Sequence, residues 1–183
     1  MGISVAARAP GRIRGLVLYS CFGRLMATPD YPWGWSQEFL ELYRAGFDAA
    51  WTTGHGVEIA LPSVTGDEAL REWVCRYLRL SVSPASARVA LDNAARTDIR
   101  DLLPAVRCPT LVLHRRDELW LGPDNGRYVA SQIPDARFVE LPGVDYWPWL
   151  GDAASVLAPV DAMLSGLAGV QLEPEGFPRV TGS

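Results

Sequence analysis

The segment "CPTLVLHRRDEL", residues 108–119, carries the first decision about the fold. Its middle, "TLVLH" (110–114), is continuously apolar and then breaks into a charged turn. A strand covered on both faces reads that way, whereas a half-exposed strand alternates. Two further runs have the same character: "GLVLYS" (15–20) upstream and "RFVEL" (137–141) downstream. The last alternates in part, which suits the edge of a sheet. Three such runs predict adjacent parallel strands, and they place Asp117 and Glu118 just beyond the carboxyl end of the middle one.

Helical periodicity fills the intervals. Phe39, Leu42, Tyr43, Phe47, Ala50 and Trp51 recur behind Ser36, a residue suited to an N-cap. Leu70, Trp73, Val74, Tyr77 and Leu78 follow Asp67 in the same way. Ser83-Pro84 opens a third helix with its cap and first-turn proline in favoured places. "DIRDLL" (98–103) predicts a short fourth, residues 124–132 a fifth ended by Pro134, and 152–168 a last one. In that last helix Val156, Leu157, Val160, Met163, Leu164 and Leu167 share a side. The resulting order is α/β: a mainly parallel sheet with a helical cap insertion over about residues 22–107. A crossover does not need that length. The insertion is therefore expected to lie over the carboxyl edge of the sheet, where open α/β sheets bind ligands. Residues 169–183 read as a disordered tail or linker stub.

Bulk properties exclude several classes. The 183 residues are 49 % apolar and 21 % charged, with a net charge of −4. That balance offers no basic stripe for nucleic acid and no basic amphipathic helix for a membrane surface. No apolar run approaches the ~18 residues of a membrane span. The opening "MGISVAARAPGRIR" lacks the charged leader and apolar stretch of a signal peptide, so the expectation is a cytoplasmic protein. Cys21, Cys75 and Cys108 share no CxxC spacing and each has apolar neighbours, which predicts free buried thiols. No zinc spacing, glycine-rich phosphate loop or EF-hand pattern occurs, and no cofactor or metal is expected.

In series, "RAPGRIRGLVLYS", "IRDLLPAVRCPTLVLHRRDE", "GRYVASQIPDARFVELPG" and "DYWPWLGD" resemble the C-terminal half of an α/β hydrolase. They are most similar to the hydrolase domains that precede adenylate cyclase domains. The likeness runs from residue 1 to about 168. It implies a partial hydrolase domain whose first five strands, nucleophile elbow and oxyanion-hole amides are absent from this chain. The family reaction is hydrolysis of ester or related bonds by a nucleophile, a histidine that takes its proton and a carboxylate that orients the histidine. The resemblance implies Glu118 as the acid position, with Asp117 as the alternative acid if the loop shifts by one. The alternative is a solvated acidic pair beside Arg115 and Arg116. It implies a histidine at residue 146, and Tyr146 stands there. A phenol with a pKa near ~10 is no general base at neutral pH, so Tyr146 reads as an aromatic packing partner. No G-x-S-x-G occurs, and Ser4 falls within a helix. His114, at a strand end, is expected to bind backbone, and His55, in "TTGHG", to lie on a surface loop of the cap.

The seven tryptophans are unusual in number. Trp33, Trp35, Trp120 and Trp147 are the candidates to line a pocket for an apolar small molecule, against the alternative of ordinary packing between cap and core. "GLVLYS" has the composition of an interior strand but no earlier strand to pair with. A second copy of the chain, or an N-terminal half, is expected to cover that edge. Three functions stay open: an incomplete ester hydrolase, inactive alone; a non-catalytic binding or regulatory module; and a fragment with no independent role.

Overall fold

The computed structural model describes residues 1–168, so the tail at 169–183 lies outside the described residues. The sheet is three-stranded in the order β1 (Leu16–Tyr19), β2 (Thr110–Arg115), β3 (Arg137–Leu141). Both pairings are parallel, with Leu18 opposite Val112 and Val112 opposite Phe138. Every residue of β2 is buried, as its unbroken apolar run requires of a strand with a neighbour on each side.

Helices close both faces. On one, α1 (Gly2–Arg8), α6 (Pro123–Gln132) and the 3₁₀ turn Arg100–Ala105 pack on Leu16, Leu18, Val112 and Phe138. On the other, α7 (Ala153–Leu167) lays Val156, Val160 and Met163 on Leu111, Leu113, Val139 and Leu141. The expected stripe of α7 is narrower than its sequence suggested, since Leu157 and Leu164 are 58 % and 57 % exposed. Each follows an inward residue directly, and neighbouring helix positions diverge by ~100°.

Between β1 and β2, residues 22–36 form turns held by isolated bridges such as Met26 to Trp35, so the insertion is not helical from its start. Then come α2 (Gln37–Thr52), the short α3 (Val57–Ala60), α4 (Glu68–Ser81) and α5 (Pro84–Arg96). The caps form as the sequence implied: Ser36, Asp67 and Ser83 each accept from the amide three residues on, at 3.0, 2.9 and 3.1 Å. The predicted helix at 98–103 is instead the 3₁₀ turn at Arg100–Ala105, with Pro104 inside it. Proline offers no amide to an α-helical ladder, and the Asp98 carboxylate captures the Arg100 amide at 3.2 Å. This helical layer rests on the loops after β2 and β3: the Tyr146 amide donates to Ala60 O at 2.8 Å, and Trp35 Nε1 donates to Trp120 O at 2.6 Å.

Candidate functional site

The carboxyl end of β2 turns at once, with the Arg116 amide donating to Leu141 O at 2.8 Å and the Asp117 amide to Gly143 O at 3.2 Å. The turn points Asp117 into solvent and Glu118 inward, where it is 1 % exposed. Glu118 Oε2 lies 2.8 Å from His114 Nε2, and Oε1 accepts the Leu121 amide at 2.8 Å. Two of the sequence readings are corrected here. His114 engages a carboxylate rather than backbone, because the turn folds Glu118 back over the strand end. The acidic pair is divided by the same turn, so only Asp117 is solvated. The other edge of the imidazole faces α6, where a Cβ on Gly126 would come within 2.8 Å of Nδ1. That close approach demands glycine.

Arg115, the last residue of β2, is fully buried. Its Nη1 lies 3.4 Å from Asp145 Oδ2, and Nη2 donates to the carbonyl oxygens of Pro148 at 3.3 Å and of Leu150. Asp145 in turn accepts from the Ser63 amide at 3.0 Å and the Ser63 hydroxyl at 2.6 Å, while its carbonyl accepts from Tyr19 OH at 3.1 Å. One buried ion pair thus fastens the loop at 142–152 to the sheet and to the helical layer. Sequence reasoning passed over Asp145, Ser63 and this role of Arg115. The available signal was an isolated arginine directly after an apolar strand, which must find carbonyls or a carboxylate if it turns inward.

Tyr146 sits in that fastened loop. Burial raises its phenol pKa, and the Glu118 carboxylate adds to the effect. The group stays protonated at neutral pH and cannot take a proton from a nucleophile. Cys21, just past β1, has its thiol pushed up to about 12 by burial, which leaves it unreactive as well.

A cavity of about 130 Å³ lies between the helical layer and these loops, walled by Tyr43, Trp51, Leu61, Leu78, Trp120, Tyr146 and Trp147. Of the four tryptophans picked out above, Trp120 and Trp147 line it. Trp35 stands behind Trp120, edge to face at 4.5 Å between centroids. Trp33 lies elsewhere, against Tyr31 and Tyr128 at 5.3 and 5.2 Å. His55 is exposed on the loop between Gly54 and Gly56, both of which have positive φ. Among the described residues no cluster of three or more His, Cys, Asp or Glu could hold a metal ion. No described helix is long and apolar enough to cross a membrane.

No family model matches the chain. It is 26 % identical over 160 residues to pimeloyl-[acyl-carrier protein] methyl ester esterase of Neisseria meningitidis, covering 86 % of this chain and 62 % of that protein. A protein of the same name from Nitrosomonas europaea is 25 % identical over 169 residues, covering 89 % of this chain and 66 % of its own length. Among solved structures, a hydrolase from Oleispira antarctica superposes with a TM-score of 0.76 at 16 % identity, over 89 % of this chain and 60 % of that one. A thermophilic esterase from Thermogutta terrifontis gives 0.64 at 25 % identity, over 91 % and 62 %. The chain therefore spans about three fifths of the length of these relatives. Its parallel sheet, the helices on both faces and these likenesses together make it a member of the α/β-hydrolase superfamily.

Proposed function

We propose that this chain is the C-terminal portion of an ester-hydrolase fold, in which residues 22–107 act as a cap that holds an apolar ligand, and that it does not turn over esters alone. The observation that carries the reading is the pairing of a buried acid with the wrong partner. Glu118, at the acid position, is occupied by His114 and the Leu121 amide, while a protonated phenol, Tyr146, stands where the base belongs. Ester hydrolysis is the activity named for the relatives in Neisseria meningitidis and Nitrosomonas europaea. The carboxylate and the aromatic cavity support a shared ancestry of site. The absence of G-x-S-x-G from the 183 residues supports loss of turnover in this chain. The test is direct. The purified chain should hydrolyse p-nitrophenyl acetate no faster than buffer, yet small apolar ligands should alter the fluorescence of Trp120 and Trp147. Hydrolysis proportional to protein and abolished by Ser4→Ala or His55→Ala would sink the reading.

We further infer that the outer edge of β1 is covered by another strand, from a second copy or an N-terminal half. The Leu16 and Ser20 amides turn toward β2, donating to Pro109 O and Leu113 O at 2.9 and 3.0 Å. Alternation then points the Val17 and Tyr19 amides outward. The opposite edge, β3, carries Arg137 and Glu140, and Glu140 pairs with Arg116 and Arg127. Charges of that kind guard a strand against pairing, and "LVLY" has none.

A further inference from the structure

A second apolar hollow, about 170 Å³, opens on the outside of the helical layer between α2 and the loop at 54–56. It shares Tyr43, Ala50 and Gly56 with the inner cavity. We propose that the two hollows form one elongated site for an unbranched aliphatic chain, with the polar end of the ligand left in solvent beside His55. This rests on the reading of the inner cavity as a ligand site and adds the shape and orientation of what fills it.

Size is the first argument. The inner cavity alone suits little more than a single ring, since an engineered apolar cavity of ~150 Å³ binds benzene. Joined to the outer hollow, it approaches the ~300 Å³ at which ligand sites begin. Of the residues that line both hollows, only Tyr43 has a bulky side chain; Ala50 offers a methyl and Gly56 nothing. A passage of that make-up admits a chain more readily than a ring.

The second argument is Gly46. It lies inside α2 with no positive φ, and a Cβ built there meets nothing within 4 Å. A mid-helix glycine costs about 1 kcal/mol relative to alanine. Neither backbone conformation nor close packing accounts for it here, whereas keeping the wall of the hollow open does. Leu42 and Ile59, on the same wall, are 66 % and 37 % exposed, apolar surface that the core does not use. Leu42 belongs to the apolar stripe read from the sequence, but it faces this hollow instead of the core. The third argument sets orientation. At the inner end the cavity is closed by Trp120, Tyr146 and Trp147, and none of its lining residues is a cation that could receive an anionic head group. At the outer rim His55 is exposed, and it is the one ionisable side chain of the hollow besides the phenol of Tyr43.

Hexanoate and dodecanoate, below their aggregation thresholds, are suitable probes, read by tryptophan fluorescence on the full chain. Wild-type protein should bind both, with affinity rising about fourfold per added methylene until both hollows are filled. Gly46→Leu should weaken dodecanoate at least tenfold and hexanoate as well, since both tails enter past that wall, with unaltered circular dichroism. Leu42→Trp, which narrows the same hollow from a solvent-exposed position, should do likewise and serves if Gly46→Leu folds poorly. Dodecanoate binding no tighter than hexanoate, or equal in wild type and variants, overturns the elongated site while leaving the inner cavity as a ligand site. Failure of the wild type to bind either probe overturns both.

Discussion

Nε2 of His114 lies 2.8 Å from Oε2 of Glu118, four residues later, and neither side chain is exposed. On the proposed reading of Glu118 as the acid position, its carboxylate is thereby engaged by His114. Glu118→Gln keeps the shape but replaces an acceptor facing the ring with an amide that must donate to it, and the far side of the imidazole is pressed against α6. The expected loss is about 1–3 kcal/mol in urea unfolding, the range for disturbing a buried hydrogen bond. An unchanged midpoint would mean that the pair adds nothing to stability.

Arg115 and Asp145 should be the costlier pair to break. Arg115→Met leaves the Asp145 carboxylate buried with only Ser63 as donor, and it strips the carbonyls of Pro148 and Leu150 of theirs. Removing one partner of a buried ion pair typically costs about 3–5 kcal/mol. Thermal unfolding of the variant measures the loss. Because the pair fastens the loop bearing Trp147 and Trp149, native-state fluorescence should shift as well.

Alkaline stability should fall in a defined window. Burial pushes the phenols of Tyr31 and Tyr43 up to about 12, against an ordinary value near 10. The unfolded chain releases these protons first, so their contribution is complete below pH ~10 and declines as the pH rises toward ~12. Unfolding free energy measured against pH should show the fall, and Tyr43→Phe should make it shallower. A curve identical to wild type would contradict the assignment for Tyr43.

Tyr146→His should not create an esterase. It would put an imidazole beside Glu118, but the 183 residues hold no G-x-S-x-G serine for it to activate. Assay with p-nitrophenyl acetate before and after the substitution checks this, with no protein-dependent turnover expected in either case.

The bare edge of β1 should make the isolated chain associate. Sedimentation velocity over a range of concentrations is expected to show dimers or larger species. Val17→Lys, at a position 38 % exposed, should reduce them by charging the edge. A compact monomer at high concentration would mean that the edge needs no cover.

Local patterns decided much of this protein from sequence alone. The strand cores at 16–19, 110–115 and 137–141 follow from unbroken or nearly unbroken apolar runs, and the helix starts at Ser36, Asp67 and Ser83 follow from side chains that cap their own backbone. Those causes act within a few residues, so they are visible in a string of letters. Tertiary structure alone decided which of two adjacent apolar residues turns inward: Val74 rather than Trp73, Val156 rather than Leu157. It also decided that Glu118, Arg115 and Asp145 are buried. A charged residue is written the same way whether it faces water or a partner, and partners 30 residues apart, as Arg115 and Asp145 are, meet only when the chain folds. The desolvation that makes such groups structural exists only once the layers around them have closed.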